Sequence, residues 1–277
     1  ESWLSEYETY FDENGGNGGG MWGAPFVDET EITDAQIEEA KVNGTDTVVY
    51  VIARNSGEGR DRTNTTGDYQ LSDIERANLE KEAANFENAI VVLNVGGVID
   101  TKFFNEIEGL DSLFLMSQAG MRGGDAVVKV LNGEVSPSGK LTDTWAVNYE
   151  DYPSSETFSS NDGNITQEDY TDDIYVGYRY FDTFNVTPAY EFGYGLSYTD
   201  FNLDVTDVTV DAENVTVDVR VTNVGTEYSG KEVVEVYFSA PDGELEKPYQ
   251  ELAAYEKTDE LKPGESQTLT VSYKTTE

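Results

Sequence analysis

The 277-residue sequence contains neither cysteine nor histidine. Without cysteine there is no disulfide and no thiolate metal site, while the redox compartment stays open. Without histidine, the Ser-His-Asp and Cys-His nucleophilic systems and most zinc sites are excluded. Any catalysis by this chain would therefore depend chiefly on carboxylates.

Basic residues are also scarce, with 17 Lys and Arg against 55 Asp and Glu and a formal net charge of −38. Binding to phosphate needs a basic patch, so nucleic acid and anionic membrane surfaces are not expected as partners. No apolar run is long enough to span a membrane, and the start has no signal-peptide pattern. The chain begins at Glu1, which suggests a processed or truncated product, and its localisation stays open. No metal or organic cofactor is predicted.

Residues 31–148 alternate between apolar runs and helical patterns, after a glycine-rich start at 1–30 that is predicted to be loop. Strands are expected at 47–53, 89–95 and 112–116. Helices are expected after Thr33, after the capping box that begins at Ser72, and from Asp125. In the second of these, Ile74, Leu79 and Ala83 are expected on one face. This alternation predicts an α/β sandwich domain with a mainly parallel sheet.

The second half of the chain changes character. Residues 149–200 are rich in aromatic side chains and are predicted to be a linker that packs onto the sheet. Residues 201–277 alternate apolar and polar positions between turn signals, as antiparallel strands do. About five strands fit, which predicts a truncated immunoglobulin or fibronectin III-like β-sandwich.

One short polar segment, 55–62, directly follows the first apolar strand. In open α/β sheets, ligands are usually handled at the carboxyl ends of strands. Glu58 lies there between Gly57 and Gly59, so the backbone can adopt conformations closed to other residues. Glu58 is therefore a candidate for acid/base chemistry, although on these residues alone a solvated turn is the commoner explanation.

Glycines also follow the other two predicted strands, at Gly96 and Gly97 and at Gly120, Gly123 and Gly124. They indicate either backbone held close to a ligand or simple strand-to-helix turns, and the turns are the better supported interpretation. The complete dinucleotide-binding fingerprint is absent, so no nucleotide site is predicted.

Six motifs occur in a fixed order: Ser56-Gly57-Glu58-Gly59 with Asp61-Arg62, Val92 to Gly96, Gly123-Gly124, Ser136 to Thr144, Val176 to Phe181, and Phe192 to Thr199. Together they resemble the carboxyl-terminal part of glycoside hydrolase family 3, the β-glucosidase family, from about residue 40 to the end. Lys231 to Val236, Tyr255 to Lys257 and Pro263 to Ser266 resemble the fibronectin type III-like domain of that family.

The resemblance implies an enzyme of three parts: a β/α barrel, an α/β sandwich domain and a fibronectin type III-like domain. The family's nucleophile is a barrel aspartate, which has no counterpart here, and its acid/base in many members corresponds to Glu58. Asp61 and Arg62 would then position the loop or bind substrate, with an interdomain ion pair as the alternative. One departure is Gly120-Met121-Arg122-Gly123-Gly124, where the family usually has Gly-Gln-Glu-Gly-Gly.

By this resemblance the chain is expected to be a fragment of a retaining β-glycosidase of β-glucosidase type. Its substrate would be a β-glucoside or oligosaccharide, and its partner would be the barrel. The chain is expected to be inactive alone. The sequences at residues 152–154 and 173–178 are similar to those of family members in which these domains precede the barrel. Two alternatives remain: a noncatalytic carbohydrate-binding or structural module, and an assembly protein that forms homo-oligomers through its sandwich.

Overall fold

The computed structural model describes residues 2–14, 29–42, 44–55 and 61–275. The chain divides into two compact units, residues 1–123 and residues 124–277, called here unit 1 and unit 2.

Unit 1 is an α/β structure. Its helices are α1 (Ser2–Asn14), α2 (Asp34–Val42), α3 (Asp73–Asn85) and α4 (Phe103–Glu106), and its strands are β1 (Thr47–Arg54), β2 (Asn88–Val95) and β3 (Ser112–Leu115). The strands form a parallel sheet in the order β1-β2-β3. The predicted α/β domain with a parallel sheet is thus confirmed.

The core of unit 1 follows from the apolar strands. β2 is buried almost throughout, with Val91 and Leu93 at 0% and 1% exposure. β1 was predicted as a buried strand, but it alternates: Tyr50 and Ile52 are buried, whereas Val49 and Val51 are 43% and 49% exposed. Successive side chains on a strand point to opposite faces, and helix α3 packs on β1 and β2.

Two helix starts match their sequence signals. Before α2, the Gln36 amide N–H donates to Thr33 Oγ1 over 3.3 Å, and the Gln36 side chain accepts from the Thr33 amide N–H. Before α3, Ser72 and Glu75 form the predicted capping box. The predicted apolar face of α3 is wrong at Ile74, which is 38% exposed. The helix instead buries a mostly polar face, which consists of Glu75, Asn78, Leu79 and Glu82.

The glycine-rich start also differs from expectation. Residues Ser2–Asn14 form helix α1 rather than loop. This stretch contains neither glycine nor proline, and the glycines begin only at Gly15. Residues 15–28 lie outside the described part of the chain, so the prediction of loop for them stays a prediction.

Unit 2 begins with α5 (Gly123–Leu131), whose first residue belongs to unit 1, and continues with β4 (Trp145–Ala146), α6 (Tyr178–Phe184) and β5 (Pro188–Tyr190). The strands that follow are β6 (Phe201–Val210), β7 (Asn214–Asn223), β8 (Val233–Phe238), β9 (Glu251–Lys257) and β10 (Ser266–Lys274). Sheets β10-β7-β6 and β8-β9 are antiparallel. The predicted all-β sandwich is confirmed.

The core of this sandwich comes from the inward positions of the alternating strands: Val219, Val221, Val234, Leu261, Leu269 and Val271. The aromatic segment before it packs against β8 and β9. The Tyr178 ring lies 5.7 Å from that of Tyr237, and its hydroxyl accepts a 2.7 Å hydrogen bond from the Leu252 amide. These aromatic side chains therefore act in packing within unit 2.

Candidate functional site

The predicted site lies at the carboxyl end of β1, where the strand ends at Arg54 and the described chain continues to Asn55. Residues 56–60, which include Glu58, lie outside the described residues. Asn55 and Asp61 flank this segment on its two sides. The assignment of Glu58 therefore stays a prediction.

Arg62 connects the two ends of the loop. Its Nη2 donates to the backbone carbonyl of Asn55 over 2.9 Å, and its Nη1 donates to Asp68 Oδ1 over 2.7 Å. The two charged side chains are 15% and 29% exposed. A guanidinium presents its donors in a fixed planar fork, so these two contacts define where its group lies.

Asp68 receives more than this one donor. Its Oδ2 accepts from the amide N–H and from the hydroxyl of Thr63, both over 2.8 Å. Partial burial by itself would raise the pKa of the Asp68 carboxyl. The Thr63 amide, the Arg62 guanidinium and the Thr63 hydroxyl together outweigh burial and hold that pKa below its usual value. Asp68 is therefore a carboxylate at neutral pH.

Arg54, the last residue of β1, is 6% exposed and satisfies its guanidinium internally. It forms a two-pronged pair with Glu75, with Nη1 to Oε1 at 2.6 Å and Nη2 to Oε2 at 2.7 Å. Its other contacts are to backbone carbonyls, which are those of Ala53, Asp68 and Gln70. Buried charges need such pairing, because desolvation of an unpaired ion is costly.

Glu75 also joins this site to helix α3. Its Oε2 accepts from the Ser72 amide over 2.7 Å in the capping box, while the same carboxylate binds Arg54. One network thus connects the end of β1, the segment after the loop and the start of α3. We call Arg54, Arg62, Asp68 and Glu75 the loop frame.

The sequence analysis named Arg62 but not Arg54 or Asp68, and it gave Glu75 only a capping role. A signal for Arg54 existed, because it follows the inward-facing Tyr50 and Ile52 at the two-residue period of a strand. For Asp68 the sequence holds no comparable signal. Asp61 is exposed and adjoins the frame in sequence.

Two of the glycines after β3 have a structural explanation. A Cβ at Gly123 would lie 2.8 Å from Met116 Cε and 3.0 Å from Ala119 Cβ, and Gly120 has φ of +71°. Both positions therefore restrict the residue type without any ligand. In the described part of the chain, no group of carboxylates is arranged to hold a metal ion, and no helix has the length and apolar character to cross a membrane.

Family models match most of the chain. The model for the glycosyl hydrolase family 3 C-terminal domain matches residues 27–198, and that for a fibronectin type III-like domain matches residues 232–276.

Similar proteins include a β-glucosidase from Ruminococcus albus, 40% identical over 98% of this chain, and β-glucosidase A from Butyrivibrio fibrisolvens, 40% identical over 84% of it. A solved β-glucosidase structure from Paenibacillus barengoltzii matches 98% of the chain at 40% identity with a TM-score of 0.89. The chain spans 28% and 30% of the two curated relatives and 30% of that structure.

Proposed function

The chain belongs to glycosyl hydrolase family 3, and on that premise we propose that it is the part of a retaining β-glucosidase that supplies the general acid/base, Glu58. The whole enzyme would hydrolyse terminal β-D-glucosyl residues of β-glucosides or oligosaccharides. A β/α barrel would supply the nucleophile and most of the sugar pocket. The observation that carries the proposal is the loop frame, which fixes both ends of the segment that contains Glu58.

The chemistry requires such a frame. A retaining glycosidase uses two carboxyl groups about 5 to 5.5 Å apart, one to attack the sugar and one to protonate the departing oxygen and later activate water. If the two groups come from different domains, the acid/base must be held by its own domain at a fixed place. Loss of position by about 1 Å can lower the rate about 100-fold.

The electrostatics of the frame are compatible with a proton donor. A general acid must keep its proton near the working pH, and an unpaired arginine nearby would lower its pKa. Each frame arginine is paired with a carboxylate, Arg54 with Glu75 at 2.6 Å and Arg62 with Asp68 at 2.7 Å. Neither frame arginine is therefore a lone cation, and the barrel carboxylate would raise the pKa of Glu58 when the domains come together.

The test is a hybrid enzyme in which these 277 residues replace the matching segment of the Paenibacillus barengoltzii β-glucosidase. We expect Glu58→Ala to lower kcat/KM on cellobiose, which has a poor leaving group, by roughly 100- to 10,000-fold. The leaving group of 2,4-dinitrophenyl β-glucoside departs without protonation. On this substrate azide should restore turnover and yield β-glucosyl azide. The retained configuration of that product identifies the missing group as the acid/base of a retaining enzyme.

Glu87→Ala is the matched control, because Glu87 is an exposed glutamate just before β2, at the opposite end of the sheet. It should leave both substrates unaffected. A hybrid that folds but hydrolyses neither substrate would contradict the proposal, as would a Glu58→Ala variant equal to its parent. Retained sugar affinity without turnover would favour the alternative, a noncatalytic carbohydrate-binding module.

A further inference from the structure

We infer that Asp68 is a positioning residue for the acid/base loop, because it holds Arg62 in the orientation that ties the two ends of that loop together. The inference rests on the proposed role of Glu58. It concerns a residue that neither touches the sugar nor takes part in proton transfer.

The first step is the connection that Arg62 makes. The carbonyl of Asn55 lies three residues before Glu58, and Arg62 lies four residues after it. The 2.9 Å hydrogen bond from Arg62 Nη2 to that carbonyl closes the loop across its base. An arginine side chain has many rotamers in solution, so this bond forms efficiently only if the guanidinium is already oriented.

Asp68 supplies that orientation. One carboxylate oxygen binds Arg62 Nη1, while the other is fixed by the amide and hydroxyl of Thr63. The backbone carbonyl of the same residue accepts from Arg54 Nε over 2.8 Å. Asp68 therefore contacts both arginines, the one at the end of β1 and the one that closes the loop.

The backbone around Asp68 is itself held by hydrogen bonds. The amide of Asp68 donates to the Thr65 carbonyl, and the amide of Tyr69 donates to the Thr63 carbonyl over 3.2 Å. Tyr69 is 2% exposed, and its carbonyl accepts from the Asp100 amide over 2.8 Å. A carboxylate on a turn fixed in this way loses little freedom when it binds Arg62, which makes it an effective anchor.

The test uses Asp68→Ala and Asp68→Asn in the same hybrid enzyme. With Arg62 released, the acid/base loop should sample more positions, and proton donation should suffer while sugar binding does not. We expect Asp68→Ala to lower kcat on cellobiose by roughly 10- to 100-fold, with KM within about twofold. On 2,4-dinitrophenyl β-glucoside the loss in kcat/KM, which reports formation of the glycosyl-enzyme, should stay below about threefold, because that leaving group needs no proton. Asp68→Asn, which keeps one acceptor oxygen, should lie between parent and Asp68→Ala.

A cycle of Arg62→Ala, Asp68→Ala and the double variant tests whether the two residues act together. If they form one device, the double variant is no slower on cellobiose than the slower single variant. The matched control is Asp111→Asn, whose carboxylate accepts from the Ala89 amide at the amino end of β2. That end lies about 20 Å from the frame, at about 3.3 Å per residue, and the variant should match its parent on both substrates.

The outcomes separate this inference from the proposed function. A purely structural defect in Asp68→Ala would lower the active fraction and slow both substrates equally, which would overturn the inference. So would parent-like rates on cellobiose in an Asp68→Ala hybrid that Glu58→Ala inactivates. If Glu58→Ala itself shows neither the loss on cellobiose nor rescue by azide, the proposed function has failed, whatever the Asp68 variants do.

Discussion

The two units bury polar side chains of different kinds. Among the described residues that are buried, unit 1 contains all the acidic and basic ones, Arg54, Glu75 and Glu82, together with Asn78 and Thr101. Those of unit 2 are neutral: Thr144, Thr199, Asn223 and Thr258. The α/β unit thus carries a desolvation cost that the β-sandwich unit avoids.

Within unit 1, one face of helix α3 buries two carboxyl groups, and the desolvation of each is offset in a different way. Glu75 pairs with Arg54 over 2.6 Å, and this pair belongs to the loop frame. Two turns later, burial and then the charge of Glu29 raise the pKa of Glu82 from 4.5 to about 7. Burial also raises the pKa of Glu29. The residues that follow Glu29 are hydrogen-bonded to Asn78 of α3, which donates to the Thr30 carbonyl and accepts from the Ile32 amide.

Unit 2 shows how a buried polar group can be satisfied without charge. Asn223 is 0% exposed, and its amide donates to the carbonyls of Tyr228 and Leu261, both over 2.9 Å. Its oxygen accepts from the Gly225 amide over 3.0 Å and from the Thr199 hydroxyl over 2.6 Å. All four hydrogen-bonding positions of the side chain are used. The comparison teaches that between about pH 4.5 and 8 a change of pH should act on the stability of unit 1 and hardly on that of unit 2.

The largest effect is expected from separating the buried ion pair. Arg54→Met leaves the Glu75 carboxylate buried without its partner and should destabilise unit 1 by about 3 to 5 kcal/mol. Hydrogen exchange of β2 peptides, followed by mass spectrometry, measures this loss, with β7 peptides of unit 2 as internal reference. Arg54→Met with Glu75→Leu should recover much of it, because no lone charge remains. A single variant with parent-like exchange would mean that the pair is not what stabilises this end of the sheet.

Asn223→Ala tests the uncharged hydrogen-bond network in the core of unit 2. The change leaves the Tyr228 carbonyl, the Gly225 amide and the Thr199 hydroxyl without this partner, whereas the Leu261 carbonyl still accepts from the Gly230 amide. A loss of about 2 to 4 kcal/mol is therefore expected. Exchange should accelerate in β7 and β10 and stay unchanged in β2. Asn202→Ala, which removes an exposed asparagine from β6 of the same sheet, is the control and should cost less than about 0.5 kcal/mol. Similar losses in the two variants would show that burial of the amide is unimportant.

The sequence predicted the fold far better than it predicted these polar contacts. The parallel sheet and the sandwich follow from apolar periodicity, and the caps at Thr33 and Ser72 follow from local side-chain chemistry. The polar face of α3 was missed because its partners are distant in sequence. Arg54 is 21 residues from Glu75, and Ile32 is 46 residues from Asn78.

The candidate site divides in the same way. Glu58 and Arg62 were named from a motif, whereas the role of Asp68 depends on a turn that brings its carboxylate to Arg62 and its carbonyl to Arg54. Nothing in the spacing of Asp68 distinguishes it from the many other acidic residues of this chain. Tertiary contacts alone identify it.

The smallest and most specific effect concerns pH. The raised pKa of Glu82 means that folded unit 1 binds a proton that the unfolded chain has released above pH 4.5. The stabilisation that the protonated Glu82 gives to the folded unit is fully present below about pH 4.5. It is lost as the pH rises to about 7 and changes little above that. Glu82→Gln keeps the shape without the charge, so it should stabilise unit 1 at pH 8 by about 2 to 3 kcal/mol and leave it nearly unchanged at pH 4.5.

Hydrogen exchange measured between pH 4.5 and 8, corrected for the intrinsic pH dependence of the chemical step, gives the stability of both units in one sample. Asp68 does not interfere, since its lowered pKa confines its own titration to more acidic solution. Glu29, whose pKa is raised by burial, should leave a smaller slope of the same sign in the Glu82→Gln variant. If the stability reported by the β7 peptides of unit 2 declines with pH as steeply as that reported by the β2 peptides, buried carboxyl groups are not the source of the decline. A flat profile in unit 1 would instead mean that water reaches Glu82 and that its burial costs little.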